Sequence, residues 1–137
     1  MRCAVLDDDK AQTELVAKLL ADAGHGCEVF HQGRTLINRL RQDTFDLLII
    51  DWNMPGMSGI EVLETVRQGQ HANLPILMIT SRADDEDVVM GLAAGADDYI
   101  VKPLNTAVFT ARVEAALRRA QLNRPQRSTA SWGAYSF

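Results

Sequence analysis

Four short stretches of this sequence carry groups suited to phosphoryl chemistry: Asp7-Asp8-Asp9, Asp51, Thr80-Ser81 and Lys102. Clustered carboxylates repel one another and raise each other's pKa unless a cation intervenes. A hard divalent cation, Mg²⁺ in particular, takes a few carboxylate and carbonyl oxygens and keeps several waters. Lysine supplies a point charge for a phosphate oxygen, and a threonine hydroxyl can donate one hydrogen bond. A metal, a cation, a hydroxyl and a carboxylate nucleophile are the parts a phosphoryl transfer needs. Each residue alone has a plainer explanation, because Asp is common in turns. The set gains weight only if the chain brings all four stretches to one place.

The elements around them do this. Residues 45–50 (Phe-Asp-Leu-Leu-Ile-Ile) form an almost continuous apolar run that stops at Asp51, followed by a loop with Pro55, Gly56 and Gly59. Such a run reads as a fully buried parallel strand. Residues 2–6 form a first strand ahead of Asp7, and residues 10–23 a helix carrying Leu15, Val16, Leu19 and Leu20, stopped by Gly24. A less apolar strand over 26–31 belongs at a sheet edge, and a helix over 34–42 carries Leu36, Ile37 and Leu40. Ser58 and Glu61 make a capping box for a third helix, whose buried stripe is Ile60, Val62, Leu63 and Val66. Pro75 to Ile79 is a fourth strand ending at Thr80, and residues 84–94 a fourth helix with Val88, Val89 and Leu92, stopped by Gly95. Residues 98–101 are a fifth strand ahead of Lys102-Pro103. Asn105 caps a fifth helix reaching about 121, with Phe109, Val113, Ala116 and Leu117 inward.

Five repeats of strand then helix predict an α/β fold, a doubly wound parallel sheet with helices on both faces. The carboxyl ends of its strands share one edge, where open α/β sheets bind ligands. All four chemical stretches therefore converge there.

The rest of the sequence narrows the classes. A chain of 137 residues suits one domain, and a net charge of -4 gives no general attraction to nucleic acid or anionic membrane. No apolar stretch is long enough to cross a bilayer. The amino terminus runs straight into Asp7 and is no signal peptide, so a cytoplasmic location is expected. Cys3 and Cys27 match no metal spacing and read as buried free thiols, and His25, His31 and His71 form no ligand cluster. Residues 1–121 make the expected domain. Residues 122–131, polar with Pro125, read as a linker. Trp132 to Phe137 alternates large and small residues, as a terminal tail or as the first strand of a further domain.

Asp7-Asp8, then Asp51-Trp52-Asn53-Met54-Pro55-Gly56-Met57-Ser58-Gly59, then Thr80, then Tyr99 with Lys102-Pro103 occur in this order over residues 2–121. The set closely resembles the receiver domains of two-component response regulators. The resemblance implies a flavodoxin-like (βα)5 sheet of strand order 2-1-3-4-5, the order of a known chemotaxis receiver. It implies that Asp51 accepts a phosphoryl group from a sensor histidine kinase. Asp8, Asp51 and the Asn53 backbone carbonyl would bind Mg²⁺ (or Mn²⁺), with Asp7 acting through a coordinated water. The acidic pair is Asp7-Asp8 or Asp8-Asp9; the first register is favoured because Val5-Leu6 then fill the two positions before it. Lys102 would contact the acidic site and then the phosphoryl group, Thr80 would follow a phosphoryl oxygen, and Tyr99 would change rotamer with it. The Lys102–Pro103 bond would be cis. Asn53 and Arg82 would flank the path of the hydrolytic water and tune the lifetime. Such a chain catalyses only its own phosphorylation and dephosphorylation.

Gly95-Ala96-Asp97-Asp98-Tyr99, with Arg112 and Arg118-Arg119, also looks like the OmpR/PhoB subfamily, in which acidic residues near the fifth strand pair with fifth-helix arginines across a symmetric dimer. Asp97, Asp98, Arg112 and Arg119 are the candidates here, although exposed pairs contribute little. Val88 and Val108 stand where that subfamily usually has a basic and an acidic residue, which implies an apolar contact or a different dimer. The output would be transcription, through a carboxyl-terminal DNA-binding domain that Trp132 to Phe137 would begin. Nothing within 1–121 has a DNA-binding signature. The alternative output is a stand-alone receiver acting by protein contact. A haloacid-dehalogenase-like phosphatase is the enzymatic rival, with Asp7 and Asp9 as its Asp-x-Asp. That reading leaves residues 51–59 unexplained and places Asp97-Asp98 before Lys102 instead of after it.

Overall fold

The computed structural model describes residues 1–69 and 71–122. Leu122, expected to open the linker, is the last residue of the fifth helix; the rest of the expected linker (123–131) and the tail or strand over Trp132–Phe137 lie outside these residues. Strands β1 (Arg2–Leu6), β2 (Gly26–Phe30), β3 (Leu47–Ile50), β4 (Ile76–Thr80) and β5 (Asp98–Val101) alternate with helices α1 (Lys10–Asp22), α2 (Gly33–Leu40), α3 (Gly59–Gln68), α4 (Asp85–Ala94) and α5 (Thr106–Leu122). All neighbouring strands are parallel, in the order β2-β1-β3-β4-β5. This is the flavodoxin-like sheet that the alternation and the resemblance imply. No described helix is long and apolar enough to cross a membrane.

The apolar runs lie at the centre, as their composition requires. Every residue of β3 and β4 is buried, whereas β2, the less apolar strand, forms one edge. Burying one Leu or Ile side chain is worth about 1.5–3 kcal/mol, so β3 and β4 favour positions covered by helices on both sides. One layer packs Leu36 and Leu40 of α2 and Val62, Leu63 and Val66 of α3 against Leu48, Ile50, Ile76 and Met78. The other packs Val16, Leu19 and Leu20 of α1 and Phe109, Val113, Ala116 and Leu117 of α5 against Val5, Ile49, Leu77 and Ile79.

Helix ends follow local chemistry. The Ser58–Glu61 capping box is formed in both directions, and the Asn105 side chain accepts the Val108 N–H at 3.0 Å. Two apolar stripes differ from expectation. Leu15 is exposed, and α1 turns Thr13 inward with Val16, Leu19 and Leu20. In α4, Val89 is 65% exposed and Leu92 44%, Val88 is half-buried, and only Gly91 is buried. The cause is a close approach. A Cβ on Gly91 would lie 2.9 Å from Cε2 of Tyr99, so α4 seats its glycine on that ring and its larger apolar residues rotate outward.

Candidate functional site

The carboxyl ends of β1, β3, β4 and β5 bring the expected residues together. Asp7 follows β1, and its N–H donates to the Phe30 carbonyl at 3.1 Å; Asp51 follows β3, and its N–H donates to the Leu6 carbonyl at 2.9 Å. Both carboxylates are buried, while Asp8 is exposed. Carboxylate oxygens of Asp7, Asp8 and Asp51 all lie within 4.8 Å of one another. Lys102, just beyond β5, places Nζ 3.3 Å from Asp7 and 3.6 Å from Asp51. The Lys102–Pro103 bond is cis. Asp9 is not part of the cluster. Its carboxylate accepts the Ala11 and Gln12 N–H groups and caps α1, which supports Asp7-Asp8 as the acidic pair.

The electrostatics of Asp51 are those of a strained anion. Burial, and then the charge of Asp7, push its carboxyl above the usual aspartate range; Lys102 and the Trp52 and Asn53 N–H groups pull it back in part. Its Oδ1 is buried without a hydrogen-bond partner among the described residues. An unpaired buried carboxylate oxygen is costly. A hard divalent cation at the cluster of Asp7, Asp8 and Asp51 would supply that partner, and the all-oxygen donor set fits Mg²⁺ or Mn²⁺.

Thr80 is the last residue of β4, not a residue beyond it, and it is fully buried, with Oγ1 accepting the Arg82 N–H at 3.3 Å. Tyr99 is half-buried, with its ring edge-on to Trp52 and its hydroxyl donating to the Arg82 carbonyl at 2.8 Å. Its phenol is pushed up by burial and then by Asp87. The Arg82 side chain crosses the rim of the site: Nε donates to Asn53 Oδ1 at 3.0 Å, and the guanidinium lies 4.7 Å from the Trp52 ring centre. This stacking on Trp52 was not foreseen, and the only sequence signal for it was an aromatic residue directly after Asp51. A second unforeseen contact is the bond from His31 Nδ1 to the Asp7 carbonyl, 2.9 Å.

The dimer candidates are partly occupied within the chain. Arg112 holds both carboxylate oxygens of Asp98 at 3.0 and 2.9 Å. Asp97 accepts from Arg67 at 2.9 Å and from the Ile76 N–H at 2.7 Å. Among the described residues, Arg119 reaches only the Ala115 carbonyl, 3.4 Å. Val108 is exposed, as are Val89, Met90, Leu92 and Val101, so α4, β5 and α5 each put apolar side chains on the surface.

Against known proteins, the model of the response regulator receiver domain matches residues 3–114. The chain is 42% identical over 121 residues to the phosphate regulon transcriptional regulatory protein PhoB of Rhizobium meliloti, covering 88% of this chain and 53% of that protein. It is 39% identical over 118 residues to the DNA-binding response regulator MtrA of Mycobacterium tuberculosis, covering 86% and 51%. The chain thus spans about half the length of the curated relatives it matches. Among solved structures, the Francisella response regulator 1452 receiver domain aligns with a TM-score of 0.81 at 28% identity, covering 86% of this chain and 97% of that one. Vibrio cholerae chemotaxis protein CheY4 aligns at 0.78 and 33% identity, covering 84% and 97%.

Proposed function

The chain belongs to the response regulator receiver family, and from that premise we propose that Asp51 accepts a phosphoryl group from a phosphohistidine of a sensor histidine kinase. A carboxylate oxygen of Asp51 attacks phosphorus in line; the P–N bond breaks and its electron pair leaves with the imidazole, giving an acyl phosphate. Water later attacks phosphorus, releases inorganic phosphate and restores the carboxylate. Lys102 neutralises charge on the phosphoryl oxygens, and the Thr80 hydroxyl donates to one of them. Mg²⁺ or Mn²⁺, held by Asp8, Asp51 and the Asn53 carbonyl with Asp7 acting through water, would supply further charge neutralisation. The observation that carries this reading is Asp51 itself: buried, its Oδ1 unpartnered, at the mouth of an acidic cluster with a lysine 3.6 Å away.

A phosphoryl group adds charge and strong acceptors at this sheet edge. Thr80 and Tyr99 both bond to the backbone of Arg82, so movement at Thr80 reaches Tyr99 and the surface of α4, β5 and α5. That surface is the proposed homodimer contact, apolar at Val88 and Val108, with Asp97, Asp98, Arg112 and Arg119 around it. The proposed output is transcription through a carboxyl-terminal DNA-binding domain, supported by one relative that is a transcriptional regulatory protein and another that is a DNA-binding response regulator. The phosphatase alternative loses support because Asp9 uses its carboxylate on α1.

Intact mass after incubation with acetyl phosphate and Mg²⁺ tests the acceptor role. One phosphoryl group on the wild type and none on Asp51→Asn is the expected result. An adduct that survives Asp51→Asn overturns it, and sizing of the same samples tests the dimer.

A further inference from the structure

Helix α4 is held unequally at its two ends. Its carboxyl end is fixed by Arg67, whose Nε and Nη2 donate to the Gly95 carbonyl at 2.9 and 2.7 Å while Nη1 donates to the Leu74 carbonyl at 2.6 Å. Arg67 is on α3, so this end is tied to α3 and to the segment leading into β4. The amino end is different. Asp84 at the N-cap makes no side-chain cap hydrogen bond. Asp87, in the first turn, meets Nη1 of Arg82 at 3.7 Å, with Arg82 41% exposed. A half-exposed pair at that distance is weak.

Arg82 also touches four residues at the rim of the pocket. Its side chain bonds Asn53 and stacks on Trp52, its N–H donates to Thr80 Oγ1, and its carbonyl accepts the Tyr99 hydroxyl. We propose that Arg82 is a positioning residue that ties the amino end of α4 to the pocket and, on phosphorylation of Asp51, leaves Asp87 for a phosphoryl oxygen. The proposal rests on the acceptor role of Asp51. A phosphoryl group carries more negative charge than one carboxylate and accepts the guanidinium fork in two bonds, so it outcompetes the weak partner. With that tie gone, α4 is free at its amino end and pivots about Gly95. The exposed apolar residues Val89 and Met90 lie on the part that moves.

Hydrogen exchange over residues 84–94, read by mass spectrometry with and without acetyl phosphate and Mg²⁺, tests this. Asp87→Asn removes the weak partner without touching the pocket. In the unmodified protein it should speed exchange in the first turns of α4 about two- to fivefold. Phosphorylation should speed the same amides in the wild type and add little in Asp87→Asn, while residues near Gly95 stay protected. Arg82→Met should match Asp87→Asn before phosphorylation, and the double variant should exceed neither; Asp87→Glu should restore the wild-type pattern. Unchanged α4 exchange in Asp87→Asn, or a full additional increase on phosphorylating it, overturns the exchange of partners while the acceptor role stands. A wild type that takes no phosphoryl group overturns the acceptor role and the exchange with it.

Discussion

Gly59 lies directly against the peptide of Asp51. A Cβ built on Gly59 would overlap the Asp51 carbonyl oxygen and come within 2.9 Å of the Asp51 carbonyl carbon and the Trp52 Cα. The Gly59 N–H donates to the Trp52 carbonyl at 2.9 Å. The first turn of α3 is thus clamped to the backbone of the proposed phosphoacceptor, and the capping box at Ser58 fixes how that turn enters.

Gly59→Ala should cost about 2–4 kcal/mol in urea unfolding, because the methyl meets backbone that cannot step aside. Labelling of Asp51 should slow more than tenfold, since small misplacements of reacting groups cost large factors. Gly56→Ala is the control. Nothing lies within 4 Å of its Cβ, but its φ is 76°, so a loss of only about 1–2 kcal/mol is expected.

Lys102→Met leaves Asp7 and Asp51 facing each other without their cation. Labelling by acetyl phosphate should fall by about a hundredfold or more. Stability at pH 7 in chelator should drop by about 1–3 kcal/mol. Part of that loss should return on acidification, as Asp51 takes up a proton.

Asp51→Asn should stabilise the chain in metal-free buffer. The ordinary aspartate value is 3.8, and burial with the Asp7 charge raises it in the folded state. Between those two values the folded chain binds more protons than the unfolded chain, so wild-type stability falls as pH rises and the full cost stands above the raised value. Asparagine carries no such cost. Its melting temperature should therefore exceed wild type at pH 7 by on the order of 2–5 °C, and the gain should vanish as pH drops below 3.8. Added Mg²⁺ should raise the wild type more than the variant.

Asp97 and Arg67 should behave as structural partners. The Arg67 guanidinium satisfies the carbonyls of Gly95, Ala72 and Leu74 as well as Asp97. Arg67→Ala should cost about 2–4 kcal/mol, because several carbonyls lose their donor. Asp97→Ala should cost about 1–2 kcal/mol, and a double-mutant cycle should give a loss smaller than the sum. Arg112→Ala, which breaks an exposed pair with Asp98, should move stability by less than about 1 kcal/mol.

Two thiols show how distance along the chain misleads. Cys3 and Cys27 look unrelated in sequence, yet β1 and β2 pair them directly across the sheet. Burial pushes Cys3 up to about 12 and Cys27 to about 11, which leaves both as unreactive thiols. Cys27 is only half-buried, consistent with its edge strand.

What the sequence determined by itself was everything set by a residue's near neighbours. The apolar runs of β3 and β4, the caps at Ser58 and Asn105, and the alternation of strand and helix were legible because backbone geometry fixes which nearby side chains share a face. The parallel sheet followed, and with it the meeting of Asp7, Asp51, Thr80 and Lys102 at one edge. Only the tertiary structure decided how helices rotate and which partners long polar side chains take. It turned Val89 and Leu92 of α4 outward on a glycine seated against Tyr99, and Leu15 outward on α1. It gave Asp97 to Arg67, and Arg82 to Asn53, Trp52 and Asp87 at once. Those outcomes depend on packing between elements distant in the chain, and an arginine whose partners are backbone carbonyls and a ring face leaves almost no mark in the order of the residues.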